Sequence, residues 1–135
     1  MPEKFTVQLV TPKGVILDKE VEEVIAPGLM GEFGVLIGHT PMLTFIQPGV
    51  FSYLENDKFT KYAVGAGFCE VLKDSVTVLV EEAYSADKID SSAASSEVTE
   101  LEQELSRIDS AADPEGYQET AKKLKVARAK VTAAA

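Results

Sequence analysis

The sequence predicts a fold that is mainly β with a smaller α part: an N-terminal flattened antiparallel β-sandwich or barrel, followed by a C-terminal antiparallel helical hairpin. Up to residue 84, short segments with alternating apolar residues recur between turn-forming residues, whereas beyond it apolar residues recur at spacings of three and four. Aromatic residues are confined to the first part, except for Tyr117. We therefore expect two units, residues 1–84 and residues 85–135.

Eight strands are predicted in the first unit. Asn56 and Asp57 mark the tip of one hairpin, because Asn and Asp tolerate the left-handed backbone of a tight turn. Packing in two layers, or closure into a barrel, would hide the edges of so many short strands. The predicted strands are 5–10, 21–26, 33–37, 42–46, 50–55, 58–64, 67–72 and 76–80.

Two helices are predicted in the second unit. Asp87 or Asp90 is the expected N-cap of the first, and Asp113 followed by Pro114 is the expected start of the second. The connection, residues 110–113, is short enough to make the helices antiparallel. The first helix has a heptad seam of apolar residues, namely Ala94, Val98, Leu101, Leu105, Ile108 and Ala112.

The second helix has a thinner apolar stripe. Arg128 occupies a position that a strict heptad would make apolar, and Ala127 beside it is expected to take that place. Residues 87–110 hold two basic and seven acidic side chains and residues 114–135 hold five and two, so we expect the two halves to attract each other. We also expect the hairpin to need a surface to lean on. The stripe is Tyr117, Ala121, Leu124 and Val131.

Composition argues against several classes of function. A net charge of −9 would repel a phosphate backbone, so no nucleic-acid partner is expected. No apolar run approaches the ~20 residues of a membrane span, and the first ten residues lack a secretory signal. With one cysteine, Cys69, and one histidine, His39, neither a disulfide nor a metal site is expected. These features favour a reducing, intracellular compartment.

Candidate catalytic groups are few. His39 lies in a turn between two predicted strands, where a general base is one interpretation and a histidine bonded to local backbone is the favoured one. Cys69 lies in an apolar strand and is expected to be core. No catalytic residue is therefore assigned.

Two segments are candidates for contacts with other molecules. The glycine-rich segment 28–34 lacks the lysine and the helix of a phosphate loop, so it predicts a tight turn with Leu29 and Met30 at its tip. That tip is either a contact surface or loop packing. A basic cluster on the second helix either complements the helix dipole or contacts an acidic partner. The cluster is Lys122, Lys123, Lys125, Arg128 and Lys130.

Residues 31–44 read GEFGVLIGHTPMLT and resemble the signature G-E-L-G-I-x-x-G-H-x-P-L-L-T of the epsilon-subunit family of the F-type ATP synthase. Residues 47–50, 64–71 and 74–79 match later strands of that family in order and spacing. The resemblance covers the whole chain, including the helices.

The resemblance implies a non-catalytic subunit of the central stalk. Its β-sandwich would grip the rotating gamma subunit and stand on the ring of membrane c subunits, coupling proton-driven rotation to ATP synthesis. Its mobile hairpin would extend into the catalytic head and inhibit ATP hydrolysis. The implied location is peripheral, at the cytoplasmic face of the bacterial inner membrane rather than at a plastid thylakoid.

Three groups of site residues follow from the resemblance. The c-ring contact falls on Leu29, Met30, Gly31 and Glu32. The gamma contact falls on His39, Thr40, Pro41 and Met42. The contact with acidic segments of the beta subunits, beside alpha, falls on the basic cluster Lys122, Lys123, Lys125, Arg128 and Lys130.

Some members of the family bind ATP on the folded hairpin through an I-D-x-x-R-A motif. Ile89, Asp90 and Ala94 match that motif, but Ala93 stands where the arginine should be. The arginines of the second helix fall on Val126 and Lys130. Since guanidinium groups make the strongest phosphate contacts, the sequence predicts weak or absent ATP binding and no other cofactor.

Two other classes of function stay open from the residues alone. One is a free-standing β-sandwich that acts as a binding or adaptor module, with the helices as a dimerisation arm. The other is a hydrolytic enzyme that uses His39. The resting position of the hairpin, the strength of inhibition and the coupling ion are left open by the sequence.

Overall fold

The computed structural model describes residues 3–135, so residues 1 and 2 of the first expected unit lie outside it. Ten strands precede two helices in the described residues. The strands are β1 (Phe5–Thr11), β2 (Gly14–Val21), β3 (Glu23–Gly28), β4 (Gly31–Val35), β5 (Met42–Ile46), β6 (Gly49–Glu55), β7 (Lys58–Val64), β8 (Gly67–Val71), β9 (Ser75–Val80) and β10 (Ala83–Ser85). A 3-10 turn, Ala86–Lys88, leads to the helices α1 (Ser91–Ser106) and α2 (Pro114–Ala134).

The strands form one sheet in the order β10-β7-β6-β3-β5-β8-β9-β1-β2, with β4 paired to β3. The sheet bends where β3 meets β5 at the single pair Gly28 and Ile46, which gives two layers. The first layer contains β10, β7, β6 and β3, and the second contains β5, β8, β9, β1 and β2. All pairs are antiparallel except that of β1 with β9, which is parallel.

The β2 end of the sheet approaches β6 of the other layer across the sandwich. The Lys19 ammonium on β2 lies 2.8 Å from the Glu55 carboxylate on β6 and 5.6 Å from the centre of the Tyr53 ring. This contact leaves the sandwich nearly closed. The predicted fold, a flattened sandwich or barrel followed by a helical hairpin, is therefore confirmed.

Alternation along the strands builds one core between the layers. On β1, the side chains of Phe5, Val7 and Leu9 are buried while those between them are half-exposed. Cys69 on β8 is fully buried, and desolvation raises the pKa of its thiol to about 12. The prediction that Cys69 belongs to the core is confirmed.

Two strand predictions were wrong in part, and two strands were largely or wholly missed. The predicted strand 21–26 is two strands, because β2 ends at Val21 and β3 begins at Glu23. Most of β2 was missed because it is an edge strand rich in charged, exposed residues, and β10 was missed because it has three residues. β4 ends at Val35 rather than at 37, because the His39 N–H donates to the Leu36 carbonyl in a turn.

Local turn and cap predictions were confirmed. Asn56 and Asp57 have φ of 53° and 63° and connect β6 to β7. The Asp90 carboxylate accepts a hydrogen bond from the Ala93 N–H at 3.1 Å and begins α1. Likewise Asp113 caps α2, with Pro114 as its first residue.

The seam of α1 is shorter than predicted. α1 ends at Ser106, so Ile108 and Ala112 lie in the connection, and Ala112 is exposed. The Asp109 carboxylate accepts hydrogen bonds from the N–H groups of Ala111 and Ala112, at 2.9 and 3.3 Å. This local turn competes with helix continuation. The connection therefore runs over residues 107–113, and the helices are still antiparallel.

α2 is buried on two sides, of which one was predicted. On the predicted stripe, Leu124 and Ala127 are buried while Arg128 is exposed, so Ala127 rather than Arg128 supplies the buried side chain there. On the other side, Ala129 and Ala133 pack against Ala63 of β7. The folded hairpin thus lies on the outer face of the first layer. The two alanines of α2 gave no signal of this contact in the sequence, since alanine is also the strongest helix former.

Candidate functional site

A row of apolar side chains, one from each of the five strands, crosses the outer face of the second layer; four of them are exposed and Val10 is half-exposed. Their Cα atoms are register partners from strand to strand. The exposed fraction reaches 68% at Phe45 and 59% at Val15. The adjacent register row on this face is mostly polar, with Glu70, Thr77 and Gln8. We call the five residues the apolar row: Phe45, Phe68, Leu79, Val10 and Val15.

A contiguous apolar row of this kind is typical of a protein contact surface. Two aromatic residues, Phe45 and Phe68, form the β5 end of the row and favour that interpretation, since aromatic residues supply much of the energy of protein interfaces. The folded hairpin lies on the first layer and leaves the apolar row uncovered. The molecule therefore has one face covered by its own helices and one face open to a partner.

The segment predicted to contact the c ring is the β3–β4 turn. Gly28 and Gly31 are paired, and Leu29 and Met30 form the two-residue tip, exposed by 61% and 99%. Gly31 has φ of 124°, a conformation that favours glycine. Of the two interpretations of this tip, loop packing is ruled out for Met30. Glu32, also exposed, follows on β4.

Hydrogen bonds fix this turn beside the apolar row. The Leu29 N–H donates to the Phe45 carbonyl at 3.1 Å, and the Gln47 N–H donates to the Pro27 carbonyl at 2.9 Å. The Gln47 side-chain amide donates to the Gly28 carbonyl, also at 2.9 Å. A turn held in this way binds a partner with less loss of conformational entropy.

The segment predicted to contact gamma lies at the opposite end of β5. Thr40 and Pro41 are exposed, and Met42 begins β5 and packs partly against the core. The five residues of β5 put this segment about 14 Å from the β3–β4 turn. His39 Nδ1 lies 2.7 Å from the Thr40 carbonyl oxygen, so the prediction of a histidine bonded to local backbone is confirmed.

The five basic residues predicted to contact the beta subunits differ in their surroundings. Lys122 pairs with Glu81 at 2.7 Å, outside the hairpin. Arg128 and Lys130 pair with Glu102 and Glu97 of α1, at 3.0 and 3.3 Å. The predicted attraction between the two helices is confirmed by these pairs. Within residues 3–135, Lys123 and Lys125 are exposed and form no ion pair.

The residues of the degenerate ATP motif meet at an open cavity of about 740 Å³. Ile89, Asp90, Ala93 and Ala94 line it, together with Lys130 of α2. Val126, the other position aligned with an arginine, is buried and is not part of the lining. The charged lining residues are two lysines and two carboxylates, namely Lys88, Lys130, Asp90 and Glu97.

Tyr84 of β10 forms one wall of this cavity. Its ring centre lies 4.3 Å from the Lys130 ammonium, and its hydroxyl donates to the Glu82 carboxylate at 2.6 Å. That hydrogen bond, followed by burial and nearby carboxylates, raises the pKa of Tyr84 to about 12. The ring is therefore a neutral phenol that faces a cation.

Two further findings describe the rest of the chain. Across residues 3–135, no cluster of three or more His, Cys, Asp or Glu side chains is placed to hold a metal ion. The helices seen there, α1 and α2, are too short or too polar to cross a membrane.

The fold and its surfaces define a class: a small β-sandwich protein with an appended helical hairpin, suited to contact other proteins. Residues 4–86 match the family model described as ATP synthase, Delta/Epsilon chain, beta-sandwich domain. The chain belongs to this ATP synthase delta/epsilon family, as the resemblance in sequence predicted.

Its relatives include ATP synthase epsilon chain 2 of Syntrophotalea carbinolica, 48% identical over 90 residues. That match covers 67% of this chain and 65% of the relative. The ATP synthase epsilon chain of Geotalea daltonii is 44% identical over 108 residues, which cover 80% of this chain and 78% of the relative. The match thus spans about two thirds of the first relative's length.

Two solved structures share the fold. A chain in the cryo-EM structure of the Euglena gracilis mitochondrial ATP synthase, OSCP/F1/c-ring, superimposes with a TM-score of 0.82 at 22% identity, covering 98% of this chain and 82% of that one. A chain in the Tetrahymena thermophila mitochondrial ATP synthase, central stalk and c-ring, gives 0.64 at 13% identity, with 98% of each covered. At these identities the likeness concerns the fold alone.

Proposed function

We propose that this chain is a non-catalytic epsilon subunit of the central stalk of an F-type ATP synthase, peripheral to the membrane at its cytoplasmic face. It couples proton-driven rotation to ATP synthesis, and its hairpin inhibits ATP hydrolysis. The observation that carries the proposal is the division of the two faces: the hairpin covers the first layer, while the apolar row is exposed on the second. Relatives named ATP synthase epsilon chains favour this function over a free-standing adaptor.

The gamma subunit is the proposed partner of the apolar row. From Phe45 in the row, β5 runs back through exposed Leu43 to the segment that begins at His39, so one partner lying along β5 can contact both. The c ring is the proposed partner of the β3–β4 turn, where the apolar tip is followed by the Glu32 carboxylate. The proposed c-ring contact lies at one end of β5, and the proposed gamma contact extends from beside it to the segment from His39 at the other end, so the sandwich can connect a shaft to a ring.

Release of the hairpin is proposed to change little in the sandwich. The main core cluster contains no residue beyond Ala83, so it does not depend on the helices. The hairpin rests on the sheet mainly through alanines and one exposed ion pair, Lys122 with Glu81, and such an exposed pair contributes about 1 kcal/mol or less. A segment held to its neighbour by small apolar side chains and one exposed pair opens at low free energy.

Deletion of residues 86–135 tests the inhibitory role. In the reconstituted enzyme we expect ATP hydrolysis to rise while assembly is kept, because the core cluster and the apolar row stay intact. Hydrolysis is measured as phosphate release and assembly by co-purification. Unchanged hydrolysis would argue against inhibition, and lost assembly against the separate roles of sandwich and hairpin.

A double variant, Lys123→Gln with Lys125→Gln, serves as the matched test of the contact with the beta subunits. Since these two lysines form no ion pair within the described residues, the folded hairpin keeps its bonds. Hydrolysis should rise part of the way towards the deletion, with an unchanged circular dichroism spectrum.

ATP is expected to bind weakly or not at all. The two lysines and two carboxylates that line the cavity cancel in charge, and no arginine is among them. Isothermal titration of the isolated chain with Mg-ATP should show no saturation up to roughly millimolar concentrations. Ala93→Arg supplies the missing guanidinium at the cavity and should produce measurable binding. Tight binding by the natural chain would contradict this prediction.

A further inference from the structure

The folded hairpin contacts the sandwich through a short segment that follows β9, residues 81–84. The Glu81 carboxylate accepts a hydrogen bond from the Lys122 ammonium at 2.7 Å, and the Tyr84 ring faces the Lys130 ammonium at 4.3 Å. Glu82 holds the Tyr84 hydroxyl at 2.6 Å and so orients the ring. Residues 81–84 thus hold two lysines of α2.

Lys130 is the most enclosed of the five basic residues of α2. Its side chain is only 20% exposed, against 44% for Lys122 and 56% for Arg128. Its ammonium also pairs with Glu97 of α1 at 3.3 Å, so one cation joins both helices to β10. A cation over an aromatic ring is attracted more strongly when it is desolvated, as it is here.

The apolar contact between hairpin and sheet is small. Ala129 and Ala133 meet Ala63, with Val50 and Ile89 at the edge. Methyl groups bury little area, and the free energy of apolar burial scales with area. The two lysine contacts therefore supply a large share of the attraction that keeps the hairpin on the sheet.

We infer that Lys122 and Lys130 form an ionic latch that holds the hairpin closed in the absence of nucleotide. Each ammonium leaves Glu81 or Tyr84 before it can contact another acidic surface, so closure and engagement of a partner exclude each other. Salt opens the latch by screening its pairs. The latch is a property of the isolated chain, and only the competition with an acidic partner rests on the proposed function.

The latch is tested by a distance measurement in the isolated chain. Spin labels are placed at Lys73→Cys in the β8–β9 turn and Glu119→Cys on α2, both exposed, while buried Cys69 stays unlabelled. Lys122→Gln with Lys130→Gln should raise the open fraction about ten-fold at low salt. High salt should open the natural chain and change the double variant little.

The matched control is Lys125→Gln with Arg128→Gln. It removes the same two charges from α2, but neither residue bonds to the sandwich. This control should stay closed. Equal distance distributions for the two double variants would overturn the latch. An open fraction of the natural chain that does not change with salt concentration would also overturn it.

Tyr84 gives a second test that leaves both lysines in place. Tyr84→Phe keeps the ring face, so its hairpin should stay closed. Tyr84→Leu removes the ring, so the fraction of molecules with an open hairpin should rise several-fold. Equal opening in the two would overturn the role of the ring. In the assembled enzyme, Tyr84→Leu should lower ATP hydrolysis. A larger fraction of hairpins is then open, and the lysines of α2 that contact the beta subunits are still present. Opening without that change would contradict the inhibitory function and leave the latch standing.

Discussion

Replacing Phe68 with aspartate should weaken binding to the gamma subunit by about a hundred-fold or more. Phe68 belongs to the apolar row, is 44% exposed, and lies between Phe45 and Leu79 on neighbouring strands. Aromatic residues at the centre of an interface often contribute 2 kcal/mol or more, and an unpaired carboxylate buried in their place adds a desolvation cost. The affinity is measured by surface plasmon resonance with immobilised gamma.

Thr77→Asp is the matched control for that variant. Thr77 lies on β9 in the adjacent, polar row of the same face. The variant therefore introduces the same negative charge on this face but outside the apolar row. We expect a change of only a few-fold. Both variants should keep the unfolding midpoint of the natural chain, since neither side chain belongs to the core cluster. Equal losses of affinity would contradict the assignment of the apolar row to gamma.

Replacing Phe51 with alanine should destabilise the sandwich by about 3–5 kcal/mol, a large part of the ~5–15 kcal/mol that such domains possess. Phe51 on β6 is completely buried, with its ring centre 6.3 Å from that of Tyr62 on β7. Its loss leaves a cavity between the layers. Urea unfolding followed by circular dichroism gives the free energy.

Phe59→Ala, on the adjacent strand β7, provides the comparison. Phe59 is 42% exposed and lies outside the core cluster, so its truncation should cost much less. If the two variants unfolded at the same urea concentration, the position of the core between the layers would be contradicted.

Much of the fold could be predicted because, in most segments, the apolar pattern, the turn residues and the helix caps favour the same structure that the whole fold requires. Alternation predicted the strands that bury one face, and Asn56 and Asp57 predicted their turn through the backbone they tolerate. Asp113 predicted the start of α2, and Asp90, one of two candidates, proved to be the cap of α1. Caps can be predicted locally because the side chain bonds to an N–H group only three residues further on. β2 was missed because its second half, residues 18–20, is a run of charged and exposed residues, and the end of α1 was missed because the Asp109 turn competes with the heptad.

The candidate site was predicted less completely. The β3–β4 turn and the segment from His39 were found through a motif in continuous sequence. The apolar row was missed, because each strand contributes one residue and only the pairing register brings them together. Apolar residues at outward positions of the alternating strands, such as Phe68, are the signal that could have found it. The second face of α2 was missed because alanines serve helix propensity and close packing alike.

The parallel pairing of β1 with β9 bears on synthesis of the chain by the ribosome. Thr6 is the register partner of Ser75. The first strand to be synthesised, β1, can therefore pair with β9 only after almost the whole sandwich has been synthesised. Until then β1 has only β2 beside it, and a lone two-stranded hairpin is marginally stable in water. Contacts so distant along the chain slow folding. We therefore expect no stable nascent intermediate before residue 80 has left the exit tunnel, and a single cooperative collapse afterwards.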